Sequence, residues 1–122
     1  MCSRYKVNLF SIILLGVWLF SLNARASSVQ LAVFETSNCD YCQMFHKDVA
    51  DDYSNSWPGR IAPLSRILVS NYRSDRFELK APIQVVPTFV LIEDGKELLR
   101  ITGYFGRQNF FQIMTSVLRD YR

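Results

Sequence analysis

The chain has one histidine and three cysteines in 122 residues, and those two scarcities narrow its chemistry. A structural zinc site takes four Cys or His ligands, usually as two spaced pairs. Cys39 and Cys42 form one pair and no second pair exists. A c-type haem needs a histidine directly after the second cysteine, and Gln43 stands there. Internal repeats and low-complexity tracts are also missing, so the chain reads as one small domain.

The first 26 residues contain no acid. Arg4 and Lys6 precede the apolar run Val7 to Leu22, and Ala24, Ala26 and Ser27 follow it. A basic start, an apolar stretch and a small-x-small site describe a secretory leader, cleaved after Ala26. The run lacks the polar face that a surface helix of a small domain needs. The alternative is an N-terminal membrane anchor, although the run falls short of the roughly 20 residues of a spanning helix. Arg4, Lys6 and Arg25 account for the whole net charge of +3, leaving 11 basic against 11 acidic residues. No basic footprint for nucleic acid remains. Cys2 leaves with the leader, and it precedes the apolar run, unlike a lipid-acceptor cysteine. The remaining domain, 27–122, is long enough for one modest core.

In that domain, Val29 to Phe34 is short, apolar and rich in strand formers, and is predicted as a buried first strand. A helix is predicted from about Asp40 to Tyr53, where Cys42, Phe45, Val49 and Tyr53 recur at threes and fours. The stretch "SNSWPGRIAP" reads as a loop. Ser65 to Ser70 reads as a second strand, and "RFELKAP" as a short helix ended by Pro82. Thr88 to Ile92 and Leu98 to Thr102 read as a hairpin turning at Asp94-Gly95. A final amphipathic helix carries Phe110, Ile113, Met114, Val117 and Leu118 on one face. A strand-helix-strand unit followed by a hairpin gives a small mixed sheet with helices on both faces. The cysteine pair falls where the first strand feeds its helix, the edge at which open α/β sheets carry their sites.

A Cys-x-x-Cys staple would close so short a loop that it constrains the unfolded chain little. A metal bound by Cys39, Cys42 and His46 is conceivable but one ligand short of a structural set. Position favours reactivity. Cys39 stands at or just before a helix N-terminus, where unpaired N–H groups and the dipole favour a thiolate. Cys42, one turn on, is placed to attack a mixed disulfide formed at Cys39. In "VVPTF", Pro87 opens a strand that should lie centrally, although proline cannot donate to a ladder. An ordinary trans strand-start proline and a cis Val86–Pro87 bond beside the cysteines are both consistent with that spelling.

Together these segments resemble the thioredoxin superfamily. "CDYC" after "LAVF", "VVPTFVLIEDGKELLRITGY" and the last amphipathic helix carry the resemblance over most of Val29 to Arg122. It implies an α/β thioredoxin-like fold, a minimal four-stranded mixed sheet flanked by helices. It implies Cys39 as nucleophile, Cys42 as resolving thiol and Pro87 as a cis proline packed against the pair. Val86 offers backbone groups to a substrate added as a strand. No cofactor is implied. Asp40 and Tyr41 replace the Gly-Pro of thioredoxin between the cysteines and are expected to modulate them; the tyrosine is glutaredoxin-like, yet no glutathione site is evident. Val33 occupies the place of thioredoxin's buried aspartate, and Asn38 that of the aromatic before the pair. Glu35, two residues on, reads as a solvated or hydrogen-bonded turn residue, with proton acceptor for Cys42 as the alternative. Thioredoxin's first strand and helix are missing.

A closer similarity is to small exported thioredoxin-like proteins of bacterial sulfur-oxidation clusters. It rests on the leader, "FE" before "C-x-Y-C", the Pro58 to Leu64 loop, "PTFVL", and Gly103, Tyr104 and Gly106. That implies a periplasmic reductase of protein disulfides. The implied partners are a sulfur-carrier protein and a membrane thiol-electron transporter as donor. An ionised Asp40 beside the Cys39 thiolate opposes it by like-charge repulsion, which favours a reductase. The alternatives are a disulfide oxidase or isomerase, and a non-catalytic protein that binds peptide or copper.

Overall fold

The computed structural model describes residues 26–121, and the expected leader, Ala26 aside, lies outside them. Four strands form one mixed sheet in the order β2-β1-β3-β4. They are β1 (Val29–Glu35), β2 (Leu64–Leu68), β3 (Thr88–Glu93) and β4 (Lys96–Thr102). β1 runs parallel to β2, with Leu31 opposite Leu64, and antiparallel to β3, with Ala32 opposite Val90. The parallel pair follows from the helical crossover between its strands. β3 and β4 form the expected hairpin. Its turn places Asp94 at φ 49° and Gly95 at φ 81°, the pair of positive angles that Asp-Gly supplies to a tight hairpin.

The interiors of the central strands, Leu31 to Phe34 and Phe89 to Ile92, are apolar throughout because both their faces are covered. Leu31 and Val33 of β1 and Phe89 and Leu91 of β3 join one core with Phe45, Val49, Tyr53, Phe110 and Met114. These last five come from the helical run 40–55 and from the last helix, so both stack on the same face. That run comprises α1 (Asp40–Phe45), a π-helical turn (His46–Ala50) and α2 (Asp51–Asn55). The last helix is α4 (Arg107–Val117). On the opposite face Ala32, Phe34, Val90 and Ile92 pack with Ile67 and Phe77 beneath the segment 69–83.

Two expected elements are corrected. The presumed loop after residue 55 contains a short helix, α3 (Trp57–Ile61), capped by Ser56, whose Oγ accepts the Gly59 N–H at 3.2 Å. Pro58 sits in its first turn, where a missing N–H costs nothing. Gly59 is required by close approach, because a Cβ there would stand 1.8 Å from the Tyr53 carbonyl oxygen. Tyr53 itself donates its hydroxyl to the Ala62 carbonyl at 2.7 Å, and burial pushes its pKa up. The second correction is the helix expected at "RFELKAP", which does not form. Its backbone bonds go to the hairpin: Glu78 N to Gly95 O at 2.8 Å, and Lys80 N to the Glu97 carboxylate at 2.8 Å.

A bulge in β4 makes this possible. Leu91 faces Leu99 and Ile92 faces Glu97, so Leu98 is the extra residue. The shift brings Glu97 and Arg100 to one face, where they bond at 2.8 and 2.7 Å. Arg100 also reaches the Ala81 and Pro82 carbonyls. The Arg100 hydrogen bond holds the Glu97 carboxyl below its ordinary range, outweighing the opposing effect of burial. Its folded pKa being depressed, the stabilisation is present above the unfolded value near 4.5 and is lost as pH falls through the folded one. Glu97→Gln is therefore expected to cost about 1.5–3 kcal/mol at pH 7, the size of a hydrogen bond to a charged group. Urea unfolding at pH 7 and again at pH 3 checks this, and the wild-type advantage should shrink at the lower pH.

Candidate active site

Cys39 is the N-cap of α1, with extended backbone (φ −105°, ψ 106°), and its Sγ accepts the Cys42 N–H at 3.1 Å. The side chain thus satisfies one of the donors every helix start leaves unpaired. Cys39 and Cys42 form a disulfide with Cα atoms 5.2 Å apart. Both are buried, Cys42 more deeply, at 2% exposure against 7%. Asp40 is exposed in the first turn of α1, where an acid suits the dipole. Tyr41 is 60% exposed.

The Val86–Pro87 peptide is cis, which resolves the choice that the spelling of "VVPTF" leaves open. Thr88 donates its hydroxyl to the Val85 carbonyl at 2.6 Å, and Gly103 N–H donates to the Pro87 carbonyl at 2.8 Å. These bonds fix the turn against the end of β4. Tyr41, Val86 and Pro87 line one cavity of about 340 Å³ with Val85, Gly103, Tyr104 and Phe105. Tyr41, from between the cysteines, therefore meets Val86 and Pro87 at one place, whereas Asp40 does not line it.

Tyr104 is buried and donates its hydroxyl to Asp48 at 3.3 Å. Burial, then the Asp48 charge, raises its pKa. Arg107 donates to the Asp48 backbone carbonyl at 2.7 Å and pairs with Asp52 at 2.6 Å. The wall of the cavity is thus anchored to the π-helical turn that continues the cysteine helix.

Sequence reasoning missed a cluster beneath this helix. Glu35, expected as a solvated or hydrogen-bonded turn residue, is hydrogen-bonded but neither solvated nor in a turn. It ends β1, its side chain is 4% exposed, and it pairs with both His46 and Arg66. Arg66 Nε and its terminal nitrogen lie 2.9 and 2.8 Å from Oε1, while His46 Nε2 meets Oε2. The alternation that points Val29, Leu31 and Val33 at the helices also points Glu35 there, and that signal was available. Arg66 comes from β2, whose register no local pattern reveals. Among the described residues, no group of three or more Cys, His or carboxylate side chains is placed to hold a metal. His46 is turned to Glu35.

A helix-capping Cys-x-x-Cys disulfide, on a helix that shares a cavity with a cis-proline turn, and a four-stranded mixed sheet together define a thioredoxin-like domain with a candidate thiol–disulfide site. The chain belongs to the thioredoxin-like domain family, which it matches over residues 22–118. Among solved structures it is similar to the periplasmic thioredoxin SoxS from Paracoccus pantotrophus, at 29% identity and TM-score 0.71, covering 77% of this chain and 99% of that one. It shares its fold with the Malassezia sympodialis thioredoxin, at 19% identity and TM-score 0.60, over 73% of this chain and 76% of that one. A thioredoxin from Halobacterium salinarum has 23% identity and TM-score 0.56, over 73% and 74%. No curated relative matches the chain.

Proposed function

We propose that this protein is an exported, periplasmic oxidoreductase that reduces disulfides of partner proteins through Cys39 and Cys42. The observation that carries the reading is the Cys39 sulfur at the helix cap, accepting an N–H, on a helix whose Tyr41 lines one cavity with the cis Val86–Pro87 turn. A sulfur that accepts there is favoured as a thiolate once the disulfide opens. Cys39 attacks a substrate sulfur, and Cys42 then attacks Cys39 and releases the reduced substrate. Val86 is where an extended substrate segment adds. The cavity rim supports a protein substrate: Tyr41, Val85 and Phe105 are 60%, 50% and 74% exposed. Clustered exposed apolar side chains mark interaction sites.

Export is supported by the expected leader and by likeness to a periplasmic thioredoxin. Among the described residues, no helix is long and apolar enough to cross a membrane. The resemblance to proteins of sulfur-oxidation clusters favours a sulfur-carrier protein as substrate and a membrane thiol transporter as electron donor.

The direction rests on Asp40. Equilibration with glutathione should give a potential well below the about −120 mV of strongly oxidising exported proteins. A value near −120 mV would overturn the reductase assignment. Asp40→Asn removes a repulsion from the Cys39 thiolate and should make the pair more oxidising. An exposed charge contributes up to about 1 kcal/mol, which corresponds to about 20 mV for two electrons. An unchanged or more negative potential in this variant removes Asp40 from the account.

A further inference from the structure

The wall of the cavity that carries Tyr104 and Phe105 has little backbone support. Gly103 and Gly106 bracket it at φ 87° and 94°, angles that other residues rarely adopt. At one end the Gly103 N–H donates to the Pro87 carbonyl at 2.8 Å. At the other the Gly106 carbonyl accepts the Phe110 N–H at 3.1 Å. Between them, Tyr104 and Phe105 make no backbone–backbone hydrogen bond to another described residue. Side chains therefore hold the wall. The Phe105 ring lies against Gly103, where a Cβ would stand 3.2 Å from it, and the residue is 74% exposed. Tyr104 turns inward. Its ring is 5.8 Å from that of Phe45, and its hydroxyl donates to Asp48 at 3.3 Å. The ring contact is apolar and non-directional, so the hydroxyl bond is the one that sets a position.

Asp48 belongs to the π-helical turn that continues the cysteine helix, a kind of turn that recurs at functional sites. Its backbone carbonyl is fastened by Arg107 from α4 at 2.7 Å, and Arg107 also pairs with Asp52. The acceptor that Tyr104 meets is therefore itself held in place. Burial, then the Asp48 charge, raises the Tyr104 pKa, so the hydroxyl keeps its proton and stays a donor through the neutral range. Resting on the dithiol reading, we propose that the Tyr104 hydroxyl is a positioning group for polypeptide substrates. By bonding Asp48 it fixes the Phe105 wall relative to the cysteine helix, and so sets how tightly the cavity takes the chain that carries the disulfide. A polypeptide added at Val86 runs along the cavity that Tyr41 and Phe105 also line. A disulfide too small to fill that cavity needs only Cys39. The role of Tyr104 is thus in binding and not in sulfur chemistry.

The test uses the reduced full chain with Cys2→Ser, so that only the pair reacts. Insulin reduction with dithiothreitol as electron source gives kcat and KM for a polypeptide disulfide. Oxidation of the reduced chain by bis(2-hydroxyethyl) disulfide, quenched by alkylation and read by intact mass, gives the attack on a small one. The ratio of insulin kcat/KM to the small-disulfide rate constant should fall about fivefold in Tyr104→Phe, the size of one ordinary hydrogen bond, with the fall carried by KM. Asp48→Ala, at an exposed helical position, should produce the same fall. The double variant should be no worse than either single one, because both remove the same bond. Asp48→Asn keeps an oxygen acceptor and should restore the ratio. A ratio unaltered in both Tyr104→Phe and Asp48→Ala overturns the proposal. So does a fall shared equally by insulin and the small disulfide, which marks general damage to the helix. A double variant whose losses add overturns it as well. Should Tyr104→Phe fail to fold, Asp48→Ala decides alone. A parent that reacts with neither disulfide sinks the dithiol reading and this inference with it, whereas a parent active on both, with unaltered variants, sinks only the inference.

Discussion

Cys39→Ser is expected to lose thiol–disulfide turnover to background, a fall of at least about 1,000-fold in kcat/KM, as removal of a nucleophile that acts with its partner produces. The reason is local. The helix cap places the Cys39 sulfur where a negative charge meets an N–H and the dipole. A serine hydroxyl there accepts the same N–H but does not ionise near neutral pH, so the cap survives while the attack does not. Cys42→Ser behaves differently. Its first attack proceeds, the resolving sulfur is missing, and the substrate stays bound through Cys39. Insulin reduction measures the loss of turnover, and intact mass measures the trapped adduct. An active Cys39→Ser would mean that another group carries the chemistry. Cys42→Ser without an adduct would mean that Cys39 never attacks.

Much of this site is legible in the sequence because its parts are local. The strand and the helix between Val29 and Tyr53 follow from periodicity, and the structure places their ends within two residues, although the N-cap is Cys39 itself and not one of the usual capping residues Thr36, Ser37 and Asn38 before it. The hairpin is announced by Asp94-Gly95. What is not legible depends on distant partners. The segment 76–82 has helix-forming residues, but its donors bond to Gly95 and Glu97 across the chain. That outcome needs the β4 bulge, which no propensity signals. The Glu35 cluster is half legible: strand alternation aims the carboxylate, but Arg66 arrives only through the β1–β2 register. The helix Trp57–Ile61 was readable, since Ser56 and Pro58 are start signals that were outweighed by the loop-like composition around them.

The last prediction concerns what holds the cysteine helix down. Phe45 is fully buried, three residues after Cys42. Its ring lies 4.7 Å from Phe89 of β3, 5.1 Å from Phe110 of α4 and 5.8 Å from Tyr104 in the cavity wall. One side chain therefore joins the helix, the sheet, the last helix and the loop beside Pro87. Phe45→Ala should cost about 3–5 kcal/mol, the transfer of the ring plus the hole it leaves. Domains of this kind are stable by about 5–15 kcal/mol in total, so the variant sits near the limit of folding. With a slope of about 1–1.5 kcal/mol per molar urea, the midpoint should fall by roughly 2–5 M. Phe45→Leu refills most of the hole and should cost clearly less. A Phe45→Ala midpoint within about 0.5 M of the parent, at such a slope, would show that the surrounding aromatics collapse onto the gap and that no single ring anchors the helix.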